Sequence, residues 1–230
     1  PSDNPLIAHV SCAAEVTPLV KYIPEAGKKL MDAFWPGPMT LIFNKSDKVP
    51  KGTTGGLDTV AVRFPNNKIA CSLIKAAGVS IAAPSANLSG KPSPTLGEHV
   101  VDDMDGRIDM IIDGGMVGTG LESTIIDVTV EPPMILRPGF ITVEMAKKVV
   151  GDVTVDKAIF KKPSEGLKPK APGMKYRHYA PKADYRIFKG TADKVADVIT
   201  ELANEKSNEG KKTRIITANQ HLDLYKKLNK

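Results

Sequence analysis

Apolar residues recur along this chain with two periods. Leu6–Val10 is a short, nearly continuous apolar run and predicts a buried strand. Val16, Leu19, Val20, Ile23, Leu30, Met31, Ala33 and Phe34 then follow helical spacing, and Pro24 divides that stretch into two helices. Trp35-Pro36-Gly37-Pro38 cannot continue a helix and leads into the strand-like Met39–Phe43. Thr59–Phe64 reads as a further strand, Lys68–Ala77 as a helix ending at Gly78, and Val79–Ala83 as a buried strand. Ile108–Ile112, Ser123–Val130 and Met134–Leu136 also read as strands, with Thr142–Val150 as the last helix of the series. Strands alternating with helices predict an α/β layered domain over residues 1–150.

One loop stands out. Ala83–Pro94 is rich in small polar residues and Gly, yet its prolines stiffen it, and Thr95-Leu96-Gly97-Glu98 has the form of a capping box that starts a helix. A stiff loop between a strand and a helix start is where α/β proteins place ligands. Residues 151–183 then concentrate Lys, Pro and Gly and read as a linker. Beyond it, Tyr185–Phe188, Ala192–Lys206 and Arg214–Thr217 predict a strand-helix-strand unit within 184–230, too thin a core to stand alone.

Composition narrows the class. The 230 residues are 41% hydrophobic and 25% charged, with no apolar run of the roughly 18 residues a membrane span needs. The first residues lack the basic start of a signal peptide, so a cytoplasmic, soluble protein is expected. The net charge of +6 suggests a nucleic-acid binder until it is divided along the chain: residues 1–150 carry 14 bases against 16 acids, and residues 151–230 carry 18 against 10. The basicity belongs to the linker and the C-terminal piece. Two cysteines, Cys12 and Cys71, cannot form a disulfide framework. Four scattered histidines offer no H-x-x-H pair, so no protein-built metal site is expected.

Only six residues are arginine, so their positions inform where those of the lysines do not. Arg63 and Arg137 end strand-like segments, and Arg177 lies in Tyr176-Arg177-His178-Tyr179. A guanidinium at a strand end suits a carboxylate or phosphate, or equally a structural ion pair. Thr59, Ser85, Ser89, Ser93, Thr95, Ser123 and Thr124 add hydroxyls that can serve phosphate oxygens, turns or caps. There is no G-x-S-x-G elbow, and Lys51–Gly56 lacks the G-K-S/T ending of a phosphate-binding loop. The residues alone give an anion-friendly α/β protein whose reaction is not readable.

Six segments, in order, resemble a known family: Pro1–His9, Trp35–Thr40, Gly56–Arg63, Ala83–Gly90, Glu122–Ile126 and Leu136–Gly139. They are similar to the YrdC-like family of threonylcarbamoyl-AMP synthases, and Ala171–Pro181 resembles the linker of its long, two-domain members. The resemblance implies a YrdC-like twisted mixed sheet flanked by helices, a linker, and a partial Rossmann-like C-terminal α/β piece. It implies condensation of L-threonine, bicarbonate and ATP to threonylcarbamoyl-adenylate and pyrophosphate, for transfer by a downstream system to tRNA. Asn4, Thr59, Ser85, Ser93 and Arg137 would contact ATP, with Tyr176 covering the nucleotide. His9, Arg63, Ala83 through its backbone, and Ser123 would hold threonine. Mg²⁺ would come with ATP, no residue would act as a covalent or acid-base catalyst, and partners would include the tRNA-modifying system, with a weak tRNA contact and no membrane.

The family carries, ahead of the position of Pro1, a strand with a threonine-binding Thr and an ATP-binding Lys/Arg pair. The chain is therefore expected to be the interior of a longer protein, short of a complete second domain and inactive by itself. The competing reading is an RNA-binding module in translation or ribosome assembly, supported by the +6 charge. Against it, residues 1–150 are net −2 with few aromatics, which is not the composition of an RNA-binding platform. A carbamoyl-phosphate-using maturation domain would bring additional Cys motifs, and only two cysteines are present.

Overall fold

A computed structural model describes residues 4–160 and 184–226. The chain divides into two compact units, residues 1–181 and 182–230.

The first unit is built on one mixed seven-stranded sheet. Its strands are β1 (Ile7–His9), β2 (Met39–Asn44), β3 (Thr59–Arg63), β4 (Ile81–Ala83), β5 (Thr124–Asp127), β6 (Met134–Arg137) and β7 (Thr154–Val155), in the order β4-β1-β3-β2-β5-β6-β7. The pairs β1–β3, β2–β5 and β6–β7 are parallel, while β1–β4, β2–β3 and β5–β6 are antiparallel. Helices α1 (Glu25–Phe34), α2 (Lys68–Ala77), α3 (Gly97–Met104) and α4 (Val143–Val150) connect them, with 3-10 helices at Ala13–Leu19 and Lys157–Phe160.

Strand alternation divides the sheet into two faces. On the first, Met39, Leu41, Phe43, Val60, Val62, Ile126 and Ile135 form the main core with Val16, Leu30, Met31 and Ala146 from the helices. On the second, only Ile7, Ile42, Ala61, Ile125 and Leu136 make a buried cluster. Fully burying a Leu, Ile or Phe contributes about 1.5–3 kcal/mol, so the first face dominates stability and the second is left to carry polar chemistry.

Local signals account for the helix boundaries. Asn67 caps α2 by accepting from the Ala70 N–H at 2.9 Å, and Gly78, at φ 68°, closes it in the left-handed region that favours glycine. Thr142 caps α4 in the same way, accepting from the Met145 N–H at 3.2 Å.

Three expectations for this unit need correction. Val79–Ala83 is not buried among the described residues: there β4 pairs with β1 alone, Ala82 is exposed and Val79 is 66% exposed. Ile108–Ile112 forms no strand; no ladder partner reaches it among the described residues, and Met110 is 75% exposed. The capping box at Thr95 does not form. An N-cap carbonyl opens the helical ladder, but that of Thr95 accepts from the Val117 N–H at 3.0 Å, and α3 begins after Leu96 with no side-chain cap.

In the second unit, α5 (Ala192–Asn208) forms as predicted and a 3-10 helix covers Asn219–Tyr225. Residues 185–188 and 214–217 are not in strands; Ile187 and Ile216 are each 79% exposed, and no partner strand meets them among the described residues. No helix among the described residues is long and apolar enough to cross a membrane.

Candidate anion-binding site at one end of the sheet

Strand directions bring together residues far apart in sequence. His9 ends β1 and is the register partner of Arg63, which ends the parallel strand β3. Strand β2 runs the other way, so its start, with Gly37 and Thr40 nearby, lies at this same end. Strand β5 is parallel to β2 and begins here after Ser123, and β6 runs back to finish here at Arg137.

The faces agree as well. His9, Arg63, Thr40 and Ser123 stand two residues from Ile7, Ala61, Ile42 and Ile125, the cluster of the second face, so all four belong to that face. Arg137 needs a further device. Strict alternation from Ile135, which packs on the first face, would send Arg137 there too. A bulge between Ile125 and Ile126 shifts the register, so that Ile126 faces Ile135 but Ile125 faces Arg137. The one extra residue turns Arg137 onto the second face.

The contacts form a network. Arg137 donates from Nε and Nη2 to the Ser123 carbonyl at 3.1 and 3.0 Å, and from Nη2 to Ser123 Oγ at 3.0 Å. Its Nη1 pairs with Glu122 Oε2 at 3.1 Å. Ser123 Oγ and Thr40 Oγ1 are 2.8 Å apart and buried. Arg63 Nε donates to the Gly37 carbonyl at 3.1 Å, leaving its two Nη groups without a protein hydrogen bond among the described residues.

The Gly37 turn is itself fixed. Its N–H donates to the Phe64 carbonyl at 2.8 Å, and the Thr124 N–H donates to the Pro38 carbonyl at 3.0 Å. A Cβ at Gly37 would collide with the Phe34 carbonyl oxygen, so this position needs glycine.

Burial, and secondarily the charge of Arg137, disfavours the Arg63 cation and lowers its pKa. Arg137 is paired with Glu122, so Arg63, whose Nη groups make no protein hydrogen bond among the described residues, is the cation an incoming anion would meet. The His9 pKa is also lowered, first by burial and then by Arg63, against the opposing hydrogen bonds to the Ile81 and Ile7 backbone. Its Nδ1 lies 3.3 Å from the Ile81 carbonyl, which fits the neutral tautomer with Nδ1–H donating and the Nε2 lone pair available.

That lowering fixes the sign of a pH effect. Unfolded His9 takes up a proton near its ordinary value of about 6.5, while the folded chain takes it up only at lower pH. The fold therefore keeps this contribution above that pH and loses it as pH falls through the folded value. Urea midpoints measured from about pH 7.5 to about 5 should fall more steeply in the parent protein than in His9→Asn; parallel curves would contradict a neutral, partly buried His9.

The remaining predicted residues are distributed as follows. Ser93 Oγ donates to Glu122 Oε1 at 3.0 Å, so it joins the network through a residue the sequence did not single out. Ser85 is exposed in the loop after β4. Ala83 pairs with Ile7, while Ile81 pairs with His9, so the antiparallel β4 places Ala83 toward the start of β1. Thr59 shares the face of Arg63 but opens β3 opposite Asn44, about 13 Å away along the strand at about 3.3 Å per residue. Asn4 Oδ1 is buried without a hydrogen-bond partner among the described residues. Tyr176 lies outside the described residues.

Three groups that support the site were missed. Glu122 joins Ser93 to Arg137. Asp103, buried on α3, accepts from the Leu88 N–H at 3.1 Å and pairs with Lys91, and these two contacts hold its carboxyl below the usual range and pin the 84–94 loop. Thr40 closes the Trp35–Thr40 segment but, as a lone hydroxyl in an apolar strand, was given no site role. Among the described residues no group of three His, Cys, Asp or Glu could hold a metal ion.

Comparison with known proteins places this geometry in a family. Residues 1–139 match the Sua5, YciO and YrdC family model described as "Telomere recombination", and residues 141–229 match that of "Threonylcarbamoyl-AMP synthase, C-terminal domain". A threonylcarbamoyl-AMP synthase of Pyrococcus abyssi is 50% identical over 94% of this chain, and one of Bacillus subtilis 44% identical over 98%. The chain spans 63% of the length of each. The crystal structure of P. abyssi Sua5 complexed with L-threonine is 48% identical and superposes with a TM-score of 0.87, covering 95% of this chain and 65% of that one. With both models matched and the mixed α/β fold shared, the chain belongs to the Sua5-type threonylcarbamoyl-AMP synthase family.

Proposed function

We propose that this end of the sheet binds L-threonine and ATP and that the protein forms threonylcarbamoyl-adenylate for tRNA modification. The observation that carries the reading is the convergence of Arg63 and Arg137 with Ser123 and His9 on one face at one end of the sheet. Such a site selects anions that bring hydroxyl or amine donors.

The Nη edge of Arg63 suits a carboxylate, and the Nε2 lone pair of His9 suits an amine or hydroxyl hydrogen. Threonine supplies all three groups. Arg137, Ser93 and Ser85 would serve the nucleotide, with Asn4, Thr59 and Tyr176 completing its contacts, while Ala83 and Ser123 would line the amino-acid side.

The threonine amine and bicarbonate give a carbamate and water; a carbamate oxygen then attacks the α-phosphorus of ATP, forming the new P–O bond as the bond to pyrophosphate breaks. The chain's residues hold the two reactants in line and stabilise charge, which is where most of the rate enhancement of such a transfer arises. Mg²⁺ would travel on the triphosphate and neutralise part of its charge. Its fit here is to the phosphates, since the Glu122 carboxylate of the network is already engaged by Arg137 and Ser93. The tRNA-modifying system would consume the adenylate.

The test is incubation of the full-length protein with ATP, Mg²⁺, bicarbonate and threonine, with pyrophosphate assayed and the adenylate detected by mass spectrometry. Threonine-dependent pyrophosphate is expected, with serine poorer by roughly tenfold or more, since one methyl group is worth about 1–3 kcal/mol. No pyrophosphate, together with tight and salt-dependent RNA binding, would overturn the reading.

A further inference from the structure

We infer that Glu122 is a positioning residue whose carboxylate holds the Ser93 hydroxyl and the Arg137 guanidinium in one arrangement for the nucleotide phosphates; the inference rests on the reading of this end of the sheet as an ATP site.

A carboxylate is at first sight misplaced there. It repels a polyphosphate and competes for the cation that should receive it. Its geometry explains its presence. One oxygen accepts from Ser93 Oγ at 3.0 Å and the other pairs with Arg137 Nη1 at 3.1 Å. The side chains of Arg137 and Glu122 are only 18% and 23% exposed, so the pair is shielded from solvent.

These groups come from three segments: the loop after β4, the residues leading into β5, and the end of β6; a backbone ladder joins the last two, at Ile125 and Arg137, but does not reach Ser93. The 84–94 loop is pinned near its middle by Asp103, through Leu88 and Lys91. Ser93, beyond those anchors, meets the sheet end through Glu122.

The root of Glu122 is equally constrained. Its carbonyl oxygen lies so close to Gly139 that no Cβ would fit there, and the following residue, Ser123, accepts twice from Arg137 through its carbonyl. A short acidic side chain on a fixed backbone thus sets the spacing between a hydroxyl and a guanidinium. Removing the carboxylate leaves both groups in the protein and abolishes their common reference point. Glu122 acts through its two neighbours and needs no contact with substrate.

The experiment is calorimetric titration of the full-length protein with ATP and, separately, threonine, together with KM for each, for Glu122→Ala, Glu122→Gln, Arg137→Ala, Ser93→Ala and the Ser93/Glu122 double alanine. Glu122→Ala is expected to raise Kd and KM for ATP roughly tenfold while those for threonine stay within about twofold. Glu122→Gln keeps the acceptor for Ser93 and the side-chain shape but loses the charge, and should raise the ATP values roughly threefold. The double variant should lose less than the product of the two single losses, because both act through one contact.

Unchanged or tighter ATP binding in both Glu122 variants would overturn the inference. So would equal weakening toward ATP and threonine, which marks a general structural defect. If Arg137→Ala also leaves ATP binding intact, the nucleotide reading itself fails; if Arg137→Ala loses ATP while the Glu122 variants keep it, that reading stands and only the positioning role is wrong. Should Glu122→Ala fail to fold, the near-isosteric Glu122→Gln decides.

Discussion

Arg63→Ala is expected to weaken threonine binding by about 30- to 150-fold and to remove threonine-dependent pyrophosphate release at ordinary threonine concentrations. The magnitude follows from losing a charged hydrogen-bonding partner of a carboxylate, worth about 2–3 kcal/mol when the site is shielded from water. The direction follows from geometry. Arg63 spends Nε on the Gly37 carbonyl, which fixes the plane of the guanidinium and leaves both Nη groups to act as a fork. Arg63→Lys should therefore recover little, since an ammonium cannot hold the turn and the carboxylate in one plane. ATP affinity should change little, because Ser93 and Arg137 keep their contacts to Glu122 when Arg63 is removed. Isothermal titration with each ligand separates the two effects. Unchanged threonine affinity in Arg63→Ala would place the amino-acid carboxylate elsewhere.

The sequence exposed part of this site and concealed the rest for identifiable reasons. Strands β2 and β3 were readable because their apolar runs follow Pro36-Gly37-Pro38 and Gly56-Leu57-Asp58, and α2 and α4 because Asn67, Gly78 and Thr142 mark their ends. Arg63 was readable as a rare guanidinium ending such a strand. The orientation of Arg137 was not, since it depends on a bulge between Ile125 and Ile126 that no local propensity announces. Glu122 was overlooked because one acid ahead of two hydroxyls resembles an ordinary surface residue until Ser93 and Arg137 arrive from elsewhere in the chain. Val79–Ala83 misled because an apolar run reports hydrophobicity and not sheet order: among the described residues β4 pairs with β1 on one side and has no strand on the other. The same limit applies to 185–188 and 214–217, which have the residues of strands and no ladder partner among the described residues.

Gly139→Ala should cost both stability and nucleotide binding, and its two effects have one cause. A Cβ at this position would lie 2.6 Å from the Thr124 backbone nitrogen and 2.9 Å from the Ser123 carbonyl carbon, besides colliding with the Glu122 carbonyl oxygen. All three neighbours are backbone, so relief cannot come from a side-chain rotation; either the turn after β6 or the entry to β5 must shift. Both are tied down. Thr124 Oγ1 donates to the Ile141 carbonyl at 2.8 Å and accepts from the Ile141 N–H at 2.9 Å, closing the turn onto β5. Overpacking of this kind costs about 1–3 kcal/mol, or roughly 2–12 °C in thermal midpoint for a chain of this size. The shift also carries Glu122 and Ser123 away from Arg137, so ATP affinity should fall about tenfold even well below the midpoint, where the chain is folded. Gly120→Ala is the control. Nothing lies within 4 Å of a Cβ there, and the change should stay within about 0.5 kcal/mol with ATP binding preserved. Thermal melts and ATP titrations of both variants test the argument, and a Gly139→Ala protein as stable and as tight for ATP as the parent would show that this backbone contact does not hold the site.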